Sequence, residues 1–350
     1  MQSHMAELVH CGFRPSNLPP KSTREKELHQ AHVRWILGQS TRDDGPALDE
    51  FWQTELLIDA CVTDQMKRLW GEYGLPSLYV RRVLWPSCEV VQCESTSMDI
   101  HEPTPLVCLH VQCDCAPVCI HRRERTCIAE STRRLIESDV SRTCTLGRSA
   151  ECIFVLENFA AKFPELNYTQ GMSYVCFGIL RGLGVGCDLN QCLSCMEHVL
   201  VESPMVRCMY RLDRLEIGQE IEFILDTLCV LNFGPMWEFL HTIPQFSVLD
   251  WFLLEWILTM FVKSFTKDIS NFVFDQFFLS GDIALFKAVV CALEIIISPD
   301  TQKTHTNDEI RSLFFSNLKI HNFSLFKQKF HQIYVPHGLF KYLQNSDDVR

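Results

Sequence analysis

Four things are missing from this 350-residue chain, and each absence narrows what it does. There is no apolar run long enough for the ~20 residues of a membrane span. The most apolar windows, Trp251–Phe265 and Ala288–Ser298, are shorter than that and are interrupted by Glu255 and Glu294. They read as buried core helices. There is no excess of positive charge: the net charge is −11, and a main partner made of nucleic acid needs a basic surface. The start, M-Q-S-H-M-A-E-L, lacks the apolar core and cleavage site of an export signal. Finally, no G-x-x-x-x-G-K-[ST] run supplies a phosphate-binding loop.

What is present is a globular composition, 47% apolar and 21% charged, with one oddity. There are 18 cysteines, seven of them between Cys88 and Cys127. They do not follow the compact pairing of a small secreted domain, so reduced thiols and a cytoplasmic protein are expected. Residues 87–126 are rich in Cys, Val, His and Pro with little helical period, and read as an irregular insert. Within it Cys113, Cys115, Cys119 and His121 are candidate zinc ligands. C-x-C is an unusual pairing and no second clean pair follows, so the insert is read as a loop of free cysteines and no metal site is assigned.

Elsewhere the periodicity is helical. Lys21–Leu37 and Leu48–Trp70 read as helices, separated by the turn Thr41–Pro46. Pro76 suits the first turn of a helix that Pro86 ends. Further helices are expected at Gly147–Phe163, Tyr168–Gly182, Asn190–Ser203 with Asn190 as cap, Leu212–Leu231, Val248–Phe265, Ile269–Phe278, Asp282–Ile297, Asp308–Leu318 and Phe323–Tyr334. No strand run appears after residue 130, so the class is all-α.

Two short segments carry the chemistry. In I-E-S-D-V-S-R-T, Ile136–Thr143, Asp139 and Arg142 lie at i and i+3, so on a helix the carboxylate orients the guanidinium. By itself this also describes a surface ion pair worth under about 1 kcal/mol. In P-E-L-N-Y-T-Q-G-M, Pro164–Met172, Gln170 falls in the first turn of an apolar helix and Gly171 permits close backbone approach. An Arg that stabilises charge on a transferring phosphate, with a Gln that orients a water, is the minimal equipment for GTP hydrolysis. Whether the two segments converge does not follow from the sequence.

With these segments in hand, the chain resembles the TBC-domain Rab GTPase-activating proteins. I-E-S-D-V-S-R-T resembles that family's I-x-x-D-x-x-R-T motif and Y-T-Q-G-M its Y-x-Q-G motif. G-L-P-S-L-Y-V-R-R-V-L-W-P, Gly74–Pro86, resembles its opening helix. The stretches from Trp256 to Phe265 and from Val273 to Leu293 resemble its third motif. The resemblance implies an all-α, multi-helix domain of two helical halves at residues 71–325. The cysteine-rich insert at 87–126 falls inside it, a helical extension at 1–70 precedes it, and a helical tail at 326–350 follows.

For function, the resemblance implies a dual-finger activator of a GTP-bound Rab, acting in vesicle trafficking. Arg142 would stabilise charge between the phosphates and Gln170 would orient the attacking water, with Asp139, Thr143, Tyr168 and Gly171 in support. GTP and Mg²⁺ would come with the GTPase and the chain would hold no cofactor of its own. Any membrane association would be peripheral, through the partner. Three positions depart from the family pattern: R-T-C-T-L-G lacks the usual nearby proline, Ser173 stands where Asn is common, and Phe274 where Trp is common. A catalytically inactive TBC adaptor is the alternative, and a zinc-stabilised interaction module centred on 88–127 a further one.

Overall fold

A computed structural model describes residues 22–59, 64–87, 128–144, 147–210, 215–243, 246, 254–297, 306, 309–310, 321–336 and 339. The chain divides into two compact units, residues 1–88 and 89–350. Among the described residues the regular structure is helical, with no strand.

In the first unit, α1 (Thr23–Ile36) is opened by Ser22, whose hydroxyl accepts from the Glu25 amide at 3.1 Å. It packs on α2 (Gly45–Asp59), with Trp35 edge-on to Trp52 at 5.6 Å. Asp44, 5% exposed, closes the turn between them by accepting from the Arg34 guanidinium and the Thr41 amide. Of the helix read at Leu48–Trp70, the described residues give α2 as far as Asp59 and α3 (Asp64–Tyr73), with residues 60–63 outside them. In α4 (Leu78–Leu84), Ser77 rather than Pro76 makes the start: its hydroxyl caps the Val80 amide at 3.3 Å. Pro86 lies in the 3₁₀ turn Trp85–Ser87 that follows.

The second unit runs α5 (Glu130–Thr143), α6 (Ser149–Lys162), α7 (Met172–Leu183), α8 (Leu189–Glu197), α9 (Pro204–Tyr210), α10 (Leu215–His241), α11 (Leu254–Leu258), α12 (Lys267–Ser280), α13 (Asp282–Ile296) and α14 (Phe323–Gln332). Asp188, not Asn190, caps α8, accepting from the Asn190 amide at 2.9 Å. A π-helical turn, His198–Glu202, then leads to Pro204. The proline starts α9 instead of ending α8, because a helix's first position needs no N–H. The helix read at Val248–Phe265 is described only from Leu254 and ends at Leu258. Met260 and Phe261 then adopt φ of 45° and 62°, which no helix continues through. The insert and its Cys113, Cys115, Cys119 and His121 lie outside the described residues, as does most of the Asp308–Leu318 segment.

Helix α7 is the hub, packing against α5, α6, α8 and α12. Val175, Cys176, Ile179, Leu180 and Leu183 are all 0% exposed; each fully buried aliphatic contributes about 1.5–3 kcal/mol. Gly178 makes the approach to α12 workable. A Cβ there would sit 2.6 Å from Val262 Cγ2 and 2.8 Å from Phe274 Cε2. Phe274, at the position where the family often has Trp, is itself 0% exposed.

Candidate functional site

The site is built where the C-terminal turn of α5 meets the loop entering α7. Asp139 and Arg142 share a face of α5, and the guanidinium donates to Asp139 Oδ1. The two ends of this pair live in different media: the Arg142 side chain is 62% exposed, that of Asp139 only 4%. A simple surface ion pair would have both ends wet. Asp139 Oδ2 accepts from the Tyr168 hydroxyl at 2.9 Å, a bond between residues 29 apart in sequence. Burial, with the facing Asp139 carboxylate, drives the Tyr168 phenol well above its usual pKa, so it stays a donor. Thr143 Oγ1 donates to the Asp139 carbonyl at 2.8 Å and lies 3.0 Å from Ser173 Oγ.

The loop carrying Gln170 is shaped by backbone requirements. After α6, the Leu166 and Asn167 amides both donate to the Phe163 carbonyl, at 3.1 and 2.9 Å. Asn167 turns the chain with φ 48°, a left-handed conformation that asparagine tolerates better than most residues. Gly171 has φ 113°, and a Cβ there would meet the Leu258 carbonyl oxygen at 3.1 Å and the Tyr210 hydroxyl at 3.4 Å. That Tyr210 hydroxyl donates to the same Leu258 carbonyl. Only glycine meets both the conformation and the space. Helix α7 therefore begins at Met172, and Gln170 sits in the turn before it instead of in its first helical turn. Gln170 is exposed while Tyr168, Gly171 and Met172 are buried.

The six site residues read from the sequence thus fall on one seam. Arg142 lies between Asp139 and Thr143; Gln170 lies between Tyr168 and Ser173; and Asp139–Tyr168 and Thr143–Ser173 tie the two segments together. Two exposed polar side chains emerge beside a buried, hydrogen-bonded seam. Chemically, a cationic fork and a neutral amide are presented to whatever docks there. The sequence did not point to Tyr210 and the Leu258 carbonyl, 39 and 87 residues from Gly171. It flagged Ser173 only as a departure. Behind the seam, Cys152 Sγ points to the Ser173 carbonyl at 3.9 Å, one of eight buried free cysteines among the described residues. Among the described residues, no group of three or more His, Cys, Asp or Glu is placed to hold a metal ion, and no helix is long and apolar enough to cross a membrane.

The Rab-GTPase-TBC domain family model matches residues 115–298, more than half of the chain. The chain belongs to this family. The matched range contains both site segments and the stretch from Trp256 to Leu293; the Gly74–Pro86 segment precedes it. Among solved structures, the crystal structure of the Chlamydomonas flagellar RabGAP TBC domain is similar to this chain with a TM-score of 0.57 at 13% identity. The likeness covers 92% of this chain and 98% of that one, and it speaks for the fold. No curated protein matches the chain.

Proposed function

We propose that this chain is a GTPase-activating protein for a Rab-type small GTPase, supplying Arg142 and Gln170 in trans. The carrying observation is the asymmetry of the Asp139–Arg142 pair: a buried carboxylate, held from behind by Tyr168, aims an exposed guanidinium outward. An ion pair kept only for solubility has no need of a buried anchor. Membership of the Rab-GTPase-TBC family supports a small GTPase as the partner.

In this reading the GTP-bound Rab docks on the seam, bringing its own nucleotide and Mg²⁺. Arg142 approaches the oxygens bridging and flanking the β- and γ-phosphates, where negative charge grows as the γ-phosphoryl leaves. Its planar fork donates to two of them at once. Gln170 accepts from the attacking water and donates toward the phosphoryl group, fixing the line of attack. Asp139 keeps the guanidinium extended, so little side-chain entropy is lost on docking. An arginine supplied this way is worth about 10³–10⁵ in rate, about 4–7 kcal/mol of barrier. The setting is vesicle traffic at cytoplasmic membrane surfaces, with the chain held there by its partner.

The test is GTP hydrolysis across a panel of purified Rabs with wild-type protein, Arg142→Ala and Gln170→Ala. Stimulation of one or a few Rabs that each substitution abolishes supports the reading. Stimulation that survives both substitutions removes the assignment of the two residues. Binding without stimulation by the wild type turns the chain into an adaptor on the same fold.

A further inference from the structure

Ser173 is the second residue of α7, three past Gln170, and is 1% exposed. Nothing in its sequence context marks it for a role; asparagine is the commoner residue there in the proteins this chain resembles. Its surroundings show what it does. Its hydroxyl is 3.0 Å from Thr143 Oγ1, and Thr143 Oγ1 in turn donates to the Asp139 carbonyl.

Counting protons assigns the directions. Tyr168 gives its hydroxyl proton to Asp139 Oδ2 and Thr143 gives its own to the Asp139 carbonyl. The proton of Ser173 is the one left for the Thr143–Ser173 bond, so Ser173 donates to Thr143 Oγ1. The result is two arms onto Asp139: Tyr168 to its carboxylate, and Ser173 through Thr143 to its carbonyl. Both arms end on the residue that holds Arg142.

Geometry gives the two arms their purpose. The Asp139–Tyr168 bond, with the long Thr132–Asn167 contact at 3.5 Å, holds the loop to α5 only on the N-terminal side of Gln170, which leaves its other side free to pivot. A second tie at Thr143–Ser173, on the far side of Gln170, removes that pivot. We propose that Ser173 is a positioning residue that fixes the Gln170 loop against the Arg142 segment through its hydrogen bond to Thr143. It touches no phosphate; it acts through Thr143. The inference rests on the assignment of Arg142 and Gln170 proposed above. A displacement of about 1 Å in a reacting group costs up to about 10²-fold in rate, so loss of this tie is expected to cost about 10-fold.

The experiment compares Ser173→Ala, Thr143→Val and the double variant in two measurements. In Rab-stimulated GTP hydrolysis, Ser173→Ala is expected to lower kcat about 10-fold while KM for the Rab moves less than about 2-fold, because docking contacts are untouched. Thr143→Val breaks the same tie from the other side, so the double variant is expected to be no worse than either single one. In the free protein, hydrogen exchange of the Met172 amide, which donates to the Thr169 carbonyl at 3.2 Å, is expected to quicken several-fold in both single variants. A merely structural serine would lower Tm and leave kcat alone. Wild-type kcat in Ser173→Ala, multiplicative losses in the double variant, or unchanged Met172 exchange each overturn the inference. If the wild type stimulates no Rab, the function reading fails instead, and the exchange measurement alone decides whether Ser173 ties the loop. Should Ser173→Ala fold poorly, Thr143→Val carries the same comparison.

Discussion

The N-terminal end and the middle of α7 are held by opposite means. Its N-terminal end is wired to α5 by hydroxyls that lead to Asp139, Tyr168 at its buried carboxylate and Ser173 through Thr143 at its carbonyl. Its middle is held by shape, with Gly178 against Val262 and Phe274 and no room for a methyl group. Hydrogen bonds at the N-terminal end fix direction while contributing only about 1 kcal/mol each; packing in the middle fixes position and carries the stability. A site that must present side chains accurately, yet meet a partner, gains from being on the first and leaning on the second.

The largest expected effect breaks function and spares the fold. Arg142→Lys keeps the charge and loses the planar fork, so stimulated hydrolysis is expected to fall at least about 10²-fold. Tm is expected to move little, since the side chain is 62% exposed. A variant that activates normally, or that unfolds, would erase that contrast. Next, Gly178→Val should break the fold: overpacking this seam is expected to lower stability by about 3 kcal/mol, read as a fall in the midpoint of denaturant unfolding. Gly178→Ala should be milder, because a better helix former returns up to about 1 kcal/mol. A Gly178→Val protein as stable as wild type would mean that α12 yields.

Third, Tyr168→Phe deprives Asp139 Oδ2 of its buried donor. A stability loss of about 1.5 kcal/mol is expected, with a larger proportional loss of GTPase stimulation than the modest change in Tm would suggest. Equal losses in both would place Tyr168 with the packing half of the comparison. The smallest effect serves as a control in the other unit. His32, 2% exposed and stacked on Phe51 at 4.2 Å, is pulled by burial, helped by His29, from 6.5 to about 3. Between those values the unfolded chain takes up a proton that the folded chain refuses. Its contribution is therefore present above pH 6.5 and drains away as pH falls toward 3. Going from pH 6.5 to 5.5 is expected to lower stability by about 1 kcal/mol. His32→Phe should flatten that slope in thermal unfolding followed against pH, and a slope unchanged in the variant would assign it to another group.

How much of this was legible depended on whether a feature is local. The ends of α6, α12 and α13 fell within about two residues of where periodicity and breakers put them, because Pro164, Gly281 and the apolar stripes act on their own neighbours. The Asp139–Arg142 pairing was readable for the same reason. Gln170 was put one element too far, into α7, although Gly171 carried the signal: a glycine with positive φ starts a helix after itself. Pro204 was read as a stop when Ser203 before it made the pair a start. Two features had no local sign at all. Met260 and Phe261 turn left-handed without glycine or proline, and both side chains are 0% exposed. The meeting of Thr143 with Ser173 depends on how α6 returns the chain, which no spacing encodes.

The start of α9 has a consequence in time. Ser203 donates to Asp282, and the Met205 amide donates to the other Asp282 oxygen at 2.9 Å, across 77 residues of chain. Helix α9 has seven residues, and helices shorter than about 12 residues do not persist alone in water. Ser203 also caps the Val206 amide locally at 3.0 Å, but the Asp282 carboxylate arrives only when α13 docks, so α9 is expected to become stable late, after a long loop has closed. The Met205 amide should then be a reporter of the slowest step. In pulsed hydrogen exchange during refolding it is expected to gain protection with α13 and after the amides of α7. Protection of Met205 ahead of α13 would reverse that order.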